Sequence, residues 1–309
     1  SEVLRGKRTL SLSMIRSLNT HLNIPAEILI QEGMDFPRDG EGVNWDSFPV
    51  AEIVNRGWVT GYDPRTQAEE IMRELASRAC ADSYFTEQNQ ACLRQGARPN
   101  EKDDPYSINA WILGVLAHAE QIETEVKFNP EIIDDSFIIR VIYLSVLNDG
   151  PLRAKEYLQN KGIKLVTVPH FKQTYLDGAA LINKKGEPVI ALSLRYDRLD
   201  NFWFTLAHEL AHLAMGHVHR AEGQCILDNL DLREPQDQIE SEADALAMRS
   251  LIPRELWEIH PARNTGKLTD AIDLALKADI HLSIVAGRIR YENSNYGILS
   301  SHVGKGMVR

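Results

Sequence analysis

Apolar positions along this chain of 309 residues follow a helical rhythm, then a strand rhythm, then a helical one again. Leu12, Ile15, Leu18 and Leu22 recur at three- and four-residue steps behind Ser11 as a cap, and Pro25 opens a second short helix. Residues 33–60 are interrupted by Gly, Pro and Asp and read as a linker. Helical spacing returns over 66–79, 108–126 and 129–147, with a polar stretch at 84–107 read as loop. The texture changes at Gly150-Pro151. A helix over 152–160 stops at Lys161-Gly162, and 163–169 alternates with β-branched residues, as a strand does. Two short strands follow, at 178–182 and 188–194, joined by Asn183-Lys-Lys-Gly186-Glu, a hairpin signal. After Asp197 comes a long apolar helix, then a second over 239–253 with acids at its start, then two short helices at 268–276 and 283–291.

A small sheet followed by long helices is an α+β arrangement. The expected organisation is 1–32 as a partial helical domain, 33–60 as linker, 61–149 as a helical region without nameable chemistry, 150–262 as the domain carrying the chemistry, and 263–309 as a helical tail. In the tail, Arg288 and Arg290 suggest either a second helix-turn-helix-like unit or, in preference, a solvated face packed beside the domain.

Hydrophobic content of 43% and charged content of 25% describe a globular protein. No apolar run approaches the roughly 18 residues that cross a bilayer, and no signal segment opens the chain, so the expected location is cytoplasmic and no membrane partner is expected. The net charge of −10 argues against broad nucleic-acid binding, although Arg5, Lys7, Arg8 and Arg16 make the start locally basic. Cys80, Cys92 and Cys225 form neither a disulfide framework nor a metal knuckle. The five tryptophans are scattered, as core residues are.

The chemistry is carried by residues 205–217, TLAHELAHLAMGH. His208 and His212 are i and i+4, so on a helix both imidazoles lie on one face and can reach one cation. Glu209 is swung sideways and can act as a base without being a ligand. An open catalytic zinc site needs a third protein ligand. The extended form HExxHxxGxxH fails in register, because Met215 and Val218 stand where Gly and His are required, despite His217 and His219 nearby. Glu240 and Asp244 are again i and i+4, in IESEADALAMRSLIP. Glu240 is favoured as ligand over Glu242, which is read as solvated or capping. Asp244 is then available to the spare ring N–H of a ligand histidine. Tyr196, Arg195, His260 and His281 are candidates for stabilising an oxyanion.

HELAH followed by ESEADALAMRSLIP resembles the ImmA/IrrE family of metallopeptidases. That resemblance implies a zincin-like domain, Zn2+ on His208, His212 and Glu240, Glu209 as catalytic base, and a protein substrate. Asp244 departs from the Asn common in that family, and can make the same contact. "SEVLRGKR" with "SLSMIRSLNTHLNIPAEILI" resembles the second half of a phage-repressor-type helix-turn-helix, and "VPHFKQTYLDGAA", "ALSLRYDRLDNFWFTLAHELAH" and the final 27 residues resemble HigA-like fusions. The chain opens within what would be the recognition helix, so Arg5, Lys7 and Arg8 are the candidate DNA contacts of a partial domain. Two functions compete on this reading: a zinc peptidase cleaving a regulatory protein, or a non-proteolytic antitoxin or repressor that binds DNA, a toxin, or a second copy as a homodimer.

Overall fold

A computed structural model describes residues 43–82, 84–85, 104–172, 174–220, 225–228 and 238–308. The expected partial helix-turn-helix with Arg5, Lys7 and Arg8, most of the polar stretch read as loop, and Cys92 lie outside these residues.

The first elements are α1 (Val50–Asn55), α2 (Ala68–Arg78) and α3 (Pro105–Glu120). Asp104 caps α3 by accepting from the backbone of Tyr106 and Ser107, with Pro105 at the first helical position, where its missing N–H costs nothing. The linker expected over 33–60 overlaps this region. Phe48, Val50, Ile53 and Val59 are buried, since four apolar side chains in a dozen residues outweigh the intervening Gly and Pro.

Next come α4 (Asp135–Tyr143), capped by Asp134, and α5 (Gly150–Gln159). The sheet follows with β1 (Lys164–Thr167), β2 (Gly178–Ile182) and β3 (Pro188–Leu192). The β2–β3 hairpin turns where expected: Gly186 sits at φ +75°, and Asn183 Oδ1 accepts from the backbone of Lys185 and Glu187. The helix α6 (Leu199–Ala214) then carries the HExxH residues. It is followed by α7 (His217–Arg220), β4 (Cys225–Asp228), α8 (Gln238–Leu251), α9 (Arg254–Ile259), α10 (Ala262–Thr265), α11 (Leu268–Ala278) and α12 (Leu282–Glu292).

The sheet order is β1-β3-β2-β4, with β1 parallel to β3 and the other pairs antiparallel. The strands β1, β2 and β3 are buried on both faces. Leu165, Ile190 and Leu192 face a core shared with α4, α5, α6, α8, α11 and α12, while Val166, Ala179, Val189 and Ala191 face α1, α2 and α3. The alternation follows from the two-residue period of a strand. Trp111 of α3 locks the second layer by donating to the Val168 carbonyl at 2.9 Å. The α+β class expected from sequence is what folds, with helices on both sides.

The helix α6 is buried around nearly its whole circumference, with Trp203, Leu206, Leu210 and Ala211 all at 0% exposure. The first N–H groups of a helix have no intrahelical acceptor. Here the C-terminal segment supplies them: Leu199 N donates to the Gly304 carbonyl at 3.1 Å and Asp200 N to Val303 at 3.3 Å. At its other end Gly216, at φ +67°, turns the chain into α7. The tail helices α11 and α12 pack into the α6 core through Leu274, Ile284, Val285 and Ile289. The solvated basic face expected for the tail is not seen. Arg290 is 5% exposed and Arg288 lies against Trp257, because that face of α12 is covered by α6 and α8. Among the described residues no helix is long and apolar enough to cross a membrane.

Candidate metal centre

The helices α6 and α8 run antiparallel, with His208 facing Asp244 and Glu240, and His212 facing Glu240. Three atoms converge. His208 Nε2 and His212 Nε2 are 2.9 Å apart, Glu240 Oε2 is 3.2 Å from the first and 3.7 Å from the second. Two ligands at about 2.05 Å in a tetrahedral zinc site stand about 3.3 Å apart. The three observed edges bracket that value, so the donor set fits a small divalent cation. Both histidines are fully buried and Glu240 is partly covered.

Each histidine is gripped at its other nitrogen. His208 Nδ1 lies 2.9 Å from Asp244 Oδ1. His212 Nδ1 lies 3.0 Å from His217 Nδ1, whose Nε2 lies 3.3 Å from Glu242 Oε2. Glu242 is therefore in the site's surroundings and not a solvated cap, and His217, set aside from sequence because it misses the extended motif's register, is part of the same cluster. The positive-φ Gly216 makes this possible by folding His217 back under the helix that carries His212. A glycine directly before the histidine was the one available sign.

Glu209 of α6 is fully buried against Gly178, the first residue of β2. A Cβ at Gly178 would overlap its carboxylate and press on Thr205, so the absent side chain is what gives Glu209 its room. The strand β3 leads into the motif helix but is flanked by β1 and β2 and offers no free edge to an extended peptide, because β1 pairs with it in parallel from outside the hairpin. The edge strands are β1 and β4.

The oxyanion candidates separate. His260 is engaged with Asp273 at 3.0 Å and accepts from Ala262 N, and His281 caps α12 by accepting from Ser283 N. Both serve local structure. Arg195 donates to the Tyr175 carbonyl at 3.3 Å and stands 3.9 Å from Asp177, the residue before Gly178. Tyr196 is partly exposed on the same loop.

Comparison with curated proteins finds no match. Residues 137–290 match the family model described as the IrrE N-terminal-like domain, Peptidase_M78. The match runs from α4 to α12 and leaves the α1–α3 layer outside it. The segment that brings His208, Glu209, His212, His217, Glu240 and Asp244 together is thus similar to the metallopeptidase-like domain of the IrrE N-terminal family.

Proposed function

We propose that this chain hydrolyses peptide bonds of a protein substrate with one Zn2+ held by His208, His212 and Glu240. The observation that carries the reading is the hydrogen-bond chemistry around the two imidazoles. His208 Nδ1 stands 2.9 Å from Asp244 Oδ1, an atom that can only accept while ionised, so a proton on Nδ1 suits both groups and turns the Nε2 lone pair inward. Glu242 fixes the proton of His217 on Nε2, leaving His217 Nδ1 to accept from His212 Nδ1. His212 Nε2 is then also a lone pair. Two lone pairs and a carboxylate oxygen within 2.9–3.7 Å of one another repel unless a cation sits among them.

Bound there, zinc would supply Lewis acidity toward a water and a peptide carbonyl. Glu209, adjacent to His208 and buried, accepts a proton from the attacking water and returns it to the leaving amine nitrogen. Arg195 and Tyr196 lie on the loop leading from β3 into α6 and are the two candidates kept for meeting the developing oxyanion. A buried general base has no use in a purely structural metal site, and this favours hydrolysis over the non-proteolytic alternative. The regulatory nature of the substrate and any DNA contact by Arg5, Lys7 and Arg8 rest on the N-terminal resemblance alone.

Elemental analysis of the purified chain should give about one zinc per chain, and a chelator should abolish cleavage of unfolded protein until zinc is restored. Absence of metal under replete conditions would refute the reading. A finer check concerns His217. His217→Phe keeps the ring volume but removes the acceptor for His212, and zinc affinity should fall about 10–100-fold. Competition against a chromogenic chelator measures it; unchanged affinity means His217 is only packing.

A further inference from the structure

Beside the metal centre lies a cavity of about 680 Å3. Phe204, one turn before His208 on α6, and Met248, two turns after Glu240 on α8, both line it, so it begins about 6 Å along α6 and about 12 Å along α8 from the proposed ligands. In a chain of net charge −10, the charged residues lining this cavity are three arginines, Arg198, Arg288 and Arg290, and a single acid, Asp200. Tyr196, Phe204 and Tyr296 supply aromatic wall.

The arginines are unequally committed. Arg288 stacks on Trp257 at 4.3 Å and donates to Glu292 and to the Met248 and Ile252 carbonyls, which is structural work at the end of α8. Arg198 spends its Nε on Asp200 Oδ1 at 2.9 Å. Arg290 gives Nε and Nη2 to the Tyr296 carbonyl, but its Nη1, buried and 3.6 Å from Asp200 Oδ2, makes no hydrogen bond among the described residues. A buried guanidinium N–H left without an acceptor is costly. One carboxylate, Asp200, thus stands between two guanidiniums, and one positive charge remains. Burial and the nearby Arg198 both lower the proton affinity of Arg290, a strain that an added anion would relieve. Gly287 makes the arrangement possible, because a Cβ there would collide with Asp200.

We infer that this cavity receives a carboxylate on Arg290 Nη1 and Arg198, supplied by an acidic side chain of the peptide being cleaved. Its assignment to a substrate side chain rests on the peptidase reading; the anion site itself does not. The aromatic walls accommodate the aliphatic stem of such a side chain, and Phe204 brings the cavity to within one turn of His208. The cavity is within the usual size range for ligand sites.

The test follows the arginine Nε–Hε resonances of the full chain during titration with glutarate, and with neutral glutaramide as control. The Arg198 and Arg290 signals should move saturably with glutarate only, and Arg198→Gln should weaken binding at least about tenfold, as befits a lost charge-assisted bond. Arg198 is the residue to change because Arg290 also clamps the C-terminal turn. No movement, equal movement with glutaramide, or undiminished affinity in Arg198→Gln would each overturn the anion site. A blocked Ala-Glu-Ala peptide should bind at least about tenfold tighter than its Ala-Gln-Ala twin and tighter than glutarate. Glutarate binding as tightly as the Glu peptide would overturn the substrate assignment and leave a free-anion site. These resonances report the cavity whether or not metal is bound, so failure of the zinc reading and failure of this one are separable.

Discussion

Glu240→Ala should leave the protein unable to hold zinc at stoichiometric amounts, whereas Glu242→Ala should keep it. Glu240 Oε2 lies 3.2 and 3.7 Å from the two ligand nitrogens, and Glu242 reaches the cluster only through His217. Apparent zinc binding of about 10–16 kcal/mol, shared among three ligands, puts the loss for Glu240 on the order of 10³-fold. The Glu242 variant loses its grip on His217 and should fall by at most about 10–100-fold. Elemental analysis after gel filtration separates these outcomes. Metal retained by the Glu240 variant and lost from the Glu242 variant would reverse the ligand assignment.

Glu209→Gln is expected to reduce hydrolysis by about 10²–10⁴-fold, the range a positioned base contributes, with zinc content unchanged. The amide is nearly isosteric, so the close approach of Gly178 and Thr205 is preserved and the fold should not suffer. Cleavage of an unfolded protein, measured with a metal count on the same sample, decides it. Full activity in the Gln variant would remove Glu209 from the reaction.

What the sequence made legible was local. His208 and His212 are one turn apart, Asn183 to Gly186 are a turn by composition, and Glu240 with Asp244 share a helix face, so spacing alone carried each of them. What it concealed depends on contacts between distant segments. The position of β3 inside the sheet is set by β1, which arrives by a crossover that no periodicity announces. His217 joins the site only because Gly216 adopts a left-handed conformation, and Glu242 meets it from another helix. Arg288 and Arg290 looked like a basic surface run, yet both are covered by α6 and α8. Nor did Val303 and Gly304 reveal that their carbonyls would complete the start of the helix bearing the motif.

The proposed ligands also have a consequence in polymer terms. His212 and Glu240 are separated by 28 positions of chain that leave one helix and return on another. A cation joining them closes that stretch as a cross-link closes a loop, removing from the unfolded chain the many conformations in which its ends are far apart. For a loop of this length the entropic effect is about 3.6 kcal/mol at room temperature. A cation between α6 and α8 would therefore shorten the chain's effective contour as well as serve its chemistry, and the two helices would register against each other with one knot already tied.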